Sequence, residues 1–206
     1  MTIYIDFDGT LYNTNKLYKN FINVFKKYNI QEQQIKELMR EIPYKTNKSF
    51  DILADNIINK YNLDKEIFKE LDKLYDNNYI YTDTISFLEK YYQQYNLILL
   101  TLGNISYQQK KINSTNIKKY FKDIIITDKD KSKLNIDYSK GIFIDNNPKE
   151  LERFYNSKAI HLIRIKRNDD KYSKLKLNIK DIPEYKDFNE LLNNNYIEKI
   201  GDDIYE

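Results

Sequence analysis

Two hydrophobic rhythms alternate along the chain. Short runs dominated by Ile and Leu occur at Thr2 to Asp6, Leu97 to Thr101, Asp123 to Thr127, Gly141 to Asp145 and Ile160 to Ile165. Several are apolar almost without interruption, as in strands whose two faces are both covered by protein. Between them apolar residues recur at the spacing of a helix with one buried stripe. One such period runs from Tyr107 to Tyr120, with Ser106 and Gln109 at capping-box spacing. Another runs from Lys149 to Tyr155, opened by Asn147, by Pro148 at the first helical position and by Glu150. Thr84 to Tyr95 places Phe87, Leu88, Tyr91 and Tyr95 on one side and leads into the second strand. Strand and helix alternate, which predicts a parallel α/β sheet.

The connection from the first strand to the second breaks this rhythm, being much longer than the roughly dozen residues a crossover needs. The excess carries amphipathic periods: Leu17, Phe21, Ile22, Phe25 and Tyr28; Ile35, Leu38, Met39 and Ile42, stopped at Pro43; Phe50, Leu53, Ile57 and Tyr61; and Ile67, Phe68, Leu71 and Leu74. These predict a helical cap over residues 12–81 inserted into a core made of 1–11 and 82–206. Beyond Ile165 the chain turns polar and irregular until Phe188, Leu191 and Leu192 mark a last short helix.

Composition narrows the class. The 206 residues are 41% hydrophobic and 15% aromatic with four Gly and three Pro, which excludes collagen-like and wholly disordered chains. There is no Cys, so thiol catalysis and Cys-ligated metals are ruled out, and His161 is the single His. A formal charge of +3 from interspersed residues gives no nucleic-acid signal. The abundant Lys, Asn, Ile and Tyr match what A/T-rich codons produce, so Lys clusters and the 20 Tyr say less about function than they would elsewhere. No apolar run approaches the ~18 residues of a membrane span, and Met1 leads directly into the first strand. A soluble, cytoplasmic protein is expected.

The most informative stretch is Asp6-Phe7-Asp8-Gly9-Thr10-Leu11. It puts two carboxylates at the end of a buried strand, where α/β sheets bind ligands. Gly9 permits a tight turn in which backbone amides converge on an anion. Acids beside an amide nest suit a phosphate with a divalent cation, although Asp8-Gly9 is also ordinary turn chemistry.

This stretch resembles the first motif of the haloacid dehalogenase (HAD) superfamily, most of whose members are magnesium-dependent phosphatases. The resemblance extends in order to Thr101 in Leu99-Leu100-Thr101-Leu102-Gly103-Asn104 and to Asp145 in Phe143-Ile144-Asp145-Asn146-Asn147-Pro148. A Lys is expected between the third and fourth strands, where the chain offers Lys129, Lys131 and Lys133, with Lys131 preferred. The resemblance implies a Rossmann-like three-layer α/β core with a five-stranded parallel sheet of order 5-4-1-2-3 and an inserted α-helical cap. It implies Asp6 as nucleophile, Asp8 as acid and base, and Thr101 and Lys131 as the groups that orient the phosphoryl. Phosphate would meet Phe7, Asp8, Gly9, Thr101, Leu102, Gly103 and Lys131, and Mg²⁺ would be held by Asp6, the carbonyl of Asp8 and Asp145. Where the family often carries a second acid beside Asp145, this chain has Asn146 and Asn147. Glu150 can be read as its substitute or, preferably, as part of a helix cap.

The implied activity is a Mg²⁺-dependent phosphomonoesterase acting on a small phosphorylated metabolite through an aspartyl-phosphate. Alternatives are a phosphomutase, a carbon–halogen hydrolase, or a catalytically silent module that binds phosphate or a partner; oligomeric state is open. Other polar residues rank lower. His161 reads as a core or edge histidine. Arg164, Lys166 and Arg167 read as a solvated strand end within reach of an anionic substrate. Tyr18 and Tyr44 read as core or rim of the insertion, and Tyr12 stands out because it follows the acidic turn.

Overall fold

A computed structural model describes residues 1–42, 49–157 and 160–205, so Pro43 and Tyr44 lie outside the described residues. The strands are β1 (Thr2–Ile5), β2 (Asn96–Leu102), β3 (Asp123–Thr127), β4 (Gly141–Asp145), β5 (His161–Ile165) and β6 (Glu184–Tyr185). They form one parallel sheet of order β3-β2-β1-β4-β5-β6. The order matches the expectation over five strands and corrects it by one, because β6 adds to the edge beyond β5. This two-residue strand has no apolar run to announce it; Arg164 N–H donates to Pro183 O at 2.9 Å and Lys166 N–H to Tyr185 O at 2.7 Å.

Strand pleating sorts the core into two faces. Ile3, Ile5, Leu97, Leu99, Ile142, Ile144, Ile163 and Ile165 point one way and join the larger cluster. Tyr4, Leu100, Phe143 and Leu162 point the other way. The first face is covered by α5 (Thr84–Tyr91), α6 (Ile105–Asn113), α8 (Phe188–Asn193) and α9 (Tyr196–Tyr205). The second is covered chiefly by α7 (Pro148–Ser157), whose Phe154 stacks on Phe143 with centroids 4.1 Å apart. Helices on both faces explain why the strands lack polar alternation.

Two helix ends differ from expectation. α6 is capped by Asn104, which accepts from Tyr107 N–H at 3.0 Å, rather than by Ser106, and it stops at Asn113, where Ser114, Thr115 and Asn116 favour turn over helix. α9 follows the short helix at Phe188, which the sequence pattern marks as the last, and so adds one helix to the expected set.

Between β1 and α5 lie α1 (Thr14–Lys26), α2 (Glu32–Glu41), α3 (Phe50–Tyr61) and α4 (Ile67–Asp72). The helices pack through Leu17, Phe21, Phe25, Ile35, Leu53 and Ile57, and their core is continuous with the sheet's first face. The chain leaves and re-enters the sheet domain side by side: Asn13 N–H donates to Tyr79 O at 2.7 Å and Tyr81 N–H to Leu11 O at 3.0 Å. Arg167 fastens this neck by donating to Thr10 O at 3.0 Å and to Asp83 at 2.7 Å while lying over the Tyr81 ring. Among the described residues no helix is long and apolar enough to cross a membrane.

Candidate active site

The ends of β1, β2 and β4 meet because β1 lies between the other two. That adjacency brings Asp6, Asp8, Leu102, Gly103 and Asp145 around one cavity of about 270 Å³. Asp6 and Asp145 are 6% and 1% exposed, and Lys131, 2% exposed, stands between them. Its Nζ is 2.5 Å from Asp6 Oδ1 and 2.9 Å from Asp145 Oδ2. The short 3-10 turn Lys131–Lys133 and the Tyr138 hydroxyl, which donates to Lys131 O at 2.8 Å, hold that backbone in place. Lys129 and Lys133 are exposed, so of the three candidate lysines Lys131 is the one at the carboxylates.

Electrostatics set these groups apart. Burial, reinforced by Asp145, pushes the Asp6 carboxyl up to about 7 against the opposing pull of Lys131. Burial likewise raises Asp145, while burial's opposite effect on Lys131 is outweighed by the surrounding carboxylates, which hold its ammonium charged. Asp8 behaves in the other sense. Burial would raise it, but Lys111 dominates, with Thr14 and Gln108 adding hydrogen bonds, and its pKa falls below the usual carboxylate range. Thr14 Oγ1 donates to Asp8 Oδ1 at 2.5 Å, Gln108 Nε2 donates to Oδ2 at 2.6 Å, and Lys111 Nζ pairs with Oδ1. Lys111 is 1% exposed, and its Nζ lies 4.7 Å from the Tyr107 ring centroid and 5.5 Å from that of Phe7.

Neither Lys111 nor Gln108 belongs to the site that the sequence motifs mark. Both lie on the buried face of α6 with Tyr107 and Ile112. A Lys on the apolar stripe of a helix that follows β2 was the available signal.

Several expected phosphate contacts take a narrower part. The Gly9 N–H already donates to Tyr12 O at 2.8 Å and the Gly103 N–H to Thr127 O at 2.9 Å, so neither amide is available to an anion in this arrangement. Phe7 is fully buried, its side chain packed on Tyr12 at 4.8 Å. Gly9 has φ of +82°, and a Cβ there would lie 2.1 Å from Asn146 Nδ2 and 2.7 Å from Asp170 Oδ1. Gly9→Ala is therefore expected to destabilise the fold by about 1–3 kcal/mol and to weaken tungstate binding, as read by urea melts and thermal shift. Thr101 is 1% exposed and its hydroxyl has no partner, an unusual state for a buried donor at a strand end.

The residues after Asp145 also differ from expectation. Asn147 does cap α7, accepting from Lys149 N–H at 3.1 Å, but its own N–H donates to Asp145 Oδ1 at 2.8 Å. Glu150 is thus not the reciprocal capping partner. It is 6% exposed, lines the cavity, pairs through Oε1 with Arg153 and leaves Oε2 buried without a hydrogen-bond partner. Its charge acts on Asp145 and Lys131.

Among the described residues no three acidic, His or Cys side chains converge as a ready ligand set, since Lys131 separates Asp6 from Asp145. The donor chemistry nevertheless fits a hard divalent cation. Two buried carboxylates raised chiefly by burial, Asp6 further by Asp145 and Asp145 further by Glu150, and an orphaned Glu150 oxygen would all gain from added positive charge.

The remaining candidates serve the fold. Arg164 is fully buried, donating to Asn146 O at 3.3 Å, Tyr172 O at 2.9 Å and Glu184 at 2.5 Å, and Arg167 holds the neck, so neither is the solvated, substrate-facing end expected. His161 is exposed at the start of β5, away from the cavity. Tyr12 is fully buried between Phe7 and Tyr79.

Residues 3–136 match the family model of the haloacid dehalogenase-like hydrolases, and the chain belongs to that family. Among curated proteins, no sequence matches the chain. Solved structures share its fold. A HAD phosphatase from Thermococcus onnurineus is 19% identical, covering 93% of this chain and 96% of its own with a TM-score of 0.65. Magnesium-bound YfnB of Bacillus subtilis is 12% identical over 93% and 96% with a TM-score of 0.64. The L-2-haloacid dehalogenase of Xanthobacter autotrophicus is 14% identical over 81% and 77% with a TM-score of 0.57. At such identities the likeness is one of fold.

Proposed function

We propose that the chain is a Mg²⁺-dependent phosphomonoesterase, with α1 to α4 acting as a cap over the strand-end cavity. The observation that carries this reading is Asp8, clamped by Thr14, Gln108 and Lys111 at the cavity two residues beyond Asp6. Displacement of halide from carbon needs one nucleophilic carboxylate and no proton donor. Ester cleavage needs a second acid, because an alkoxide is a poor leaving group until protonated.

In the proposed reaction an Asp6 oxygen attacks phosphorus while the ester P–O bond breaks, giving an aspartyl-phosphate and an alcohol. The proton on the alcohol passes through Asp8. Because Lys111 keeps Asp8 ionised in the free protein, that proton enters with the substrate, whose phosphate has its second pKa near about 6. Asp8 then takes a proton from the water that hydrolyses the intermediate. Lys131 orients Asp6 and stabilises the phosphoryl oxygens, and Thr101 supplies its unpartnered hydroxyl. Asp6, Asp145 and the Asp8 carbonyl, aided by Glu150, would hold the cation, which when bound neutralises phosphoryl charge. The direct test is hydrolysis of phosphate monoesters with Mg²⁺ and with chelator, run beside 2-haloacids. Halide release without phosphate release would overturn the reading.

Cation binding should depend on pH in a stated direction. Asp6 and Asp145 have folded pKa values raised above their unfolded ones, so their contribution to stability is present below the unfolded carboxylate range and lost as pH rises towards about 7. A cation must displace those protons, so the rise in Tm on adding Mg²⁺ should be larger at about pH 8 than at about pH 5.5. Glu150→Gln should shrink that rise. Equal shifts at both pH values, unchanged in Glu150→Gln, would remove the cation from these residues.

A further inference from the structure

The floor and the roof of the cavity differ in chemistry. On the floor the buried cations are committed: Lys131 to Asp6 and Asp145, Lys111 to Asp8. Asp8 and Glu150 add negative charge beside them. A substrate bearing a second anionic group would find acids there, and the cation that remains in the lining, Lys171, is exposed and already interacts with Tyr172, Asp8 and Asp170.

The roof comes from α2, α3 and α6. Met39, Ile42, Phe50 and Leu53 line the space together with Tyr107, and the Phe50 and Tyr107 rings pack with centroids 5.6 Å apart. Among the described residues, the polar side chains that the insertion lends to the lining are Thr14 and Ser49, and both are engaged. Thr14 donates to Asp8, and Ser49 Oγ accepts from Ile52 N–H at 3.1 Å. A polyol or sugar placed there would give up water for few partners, whereas a hydrocarbon would give up nothing. Size limits the choice further. A cavity of about 270 Å³ lies just under the roughly 300 Å³ where ligand pockets usually begin, and the phosphoryl group fills part of it.

We propose that the substrate is a phosphate monoester of a compact, uncharged, apolar alcohol or phenol. Its phosphoryl group lies on the strand ends and its hydrocarbon portion lies against Met39, Phe50 and Leu53. This rests on the phosphomonoesterase reading and names the leaving group within it.

The test compares n-butyl phosphate with glycerol 3-phosphate, because both release simple alkoxides and differ chiefly in polarity. A sugar phosphate, a nucleoside monophosphate and a bisphosphate complete the panel, all with Mg²⁺. The expected result is a kcat/KM for butyl phosphate at least about tenfold above that for any polyol or doubly anionic ester. Binding is read separately by thermal shift with butylphosphonate and a hydroxylated phosphonate, which need no turnover. If no ester is hydrolysed yet butylphosphonate protects more, the reaction assignment falls and the cavity preference stands. If the polyol is preferred by either measure, the proposal falls. Met39→Lys, checked for folding by circular dichroism, should lower the butyl-to-bisphosphate preference by about tenfold. An unchanged preference in the folded variant would show that the roof does not meet the substrate.

Discussion

Asp6→Asn is expected to lower turnover by roughly 10⁴-fold or more while leaving a folded protein that still binds a phosphate mimic. The amide keeps the shape of the carboxyl but cannot attack phosphorus. Stability should hold or rise, because burial and Asp145 already oppose the Asp6 charge and Lys131 retains Asp145 as partner. Asp8→Asn should lose activity with the opposite effect on stability. That change leaves the Lys111 ammonium, 1% exposed, without its counter-charge, which costs about 3 kcal/mol. Steady-state kinetics on an aryl phosphate, tungstate thermal shift and urea melts separate the two. Turnover of Asp6→Asn within tenfold of the parent chain would rule out the covalent route, and equal stabilities would contradict the assignment of charge to the two acids.

The parts of this architecture legible in the sequence are those that a single element encodes. Ile3 to Asp8 carries its strand, its turn and its acids in one stretch, and Asp145 ends a run as plainly apolar as Gly141 to Ile144. What escaped depends on elements meeting in space. Lys111 looks like one lysine among many until α6 is placed against Asp8. Glu150 has capping-box spacing from Asn147, and only the fold shows that Asp145 already accepts the N–H such a box would use. Arg164 and Arg167 follow an apolar strand as a solvated end would, yet β6 and the neck of the insertion close over them. Short edge pairing such as Glu184–Tyr185 leaves no periodicity because two residues cannot show one.

Lys131→Met is expected to affect stability and catalysis together, and pH and cation should move the two apart. The methylene chain is largely kept, but Asp6 and Asp145 would face each other in a buried site with no cation between them. Removing one member of a buried ionic cluster costs about 3–5 kcal/mol near neutral pH. The sign with pH follows from the raised pKa values of both acids: loss of Lys131 raises them further, so the variant's deficit is small while the folded acids keep their protons and grows as pH rises through about 7, where Asp6 ionises in the parent. At about pH 5.5 the variant should therefore approach the parent in urea melts, and at about pH 8 it should fall well short. Added Mg²⁺ supplies the missing charge, so it should raise the Tm of Lys131→Met more than that of the parent. Turnover should still remain lower by roughly 10²–10³-fold in saturating Mg²⁺, because the directed N–H donors to Asp6 and the phosphoryl oxygens are gone. A deficit independent of pH and unaltered by Mg²⁺ would mean that Lys131 acts by packing alone, and full activity in Mg²⁺ would take it out of the reaction.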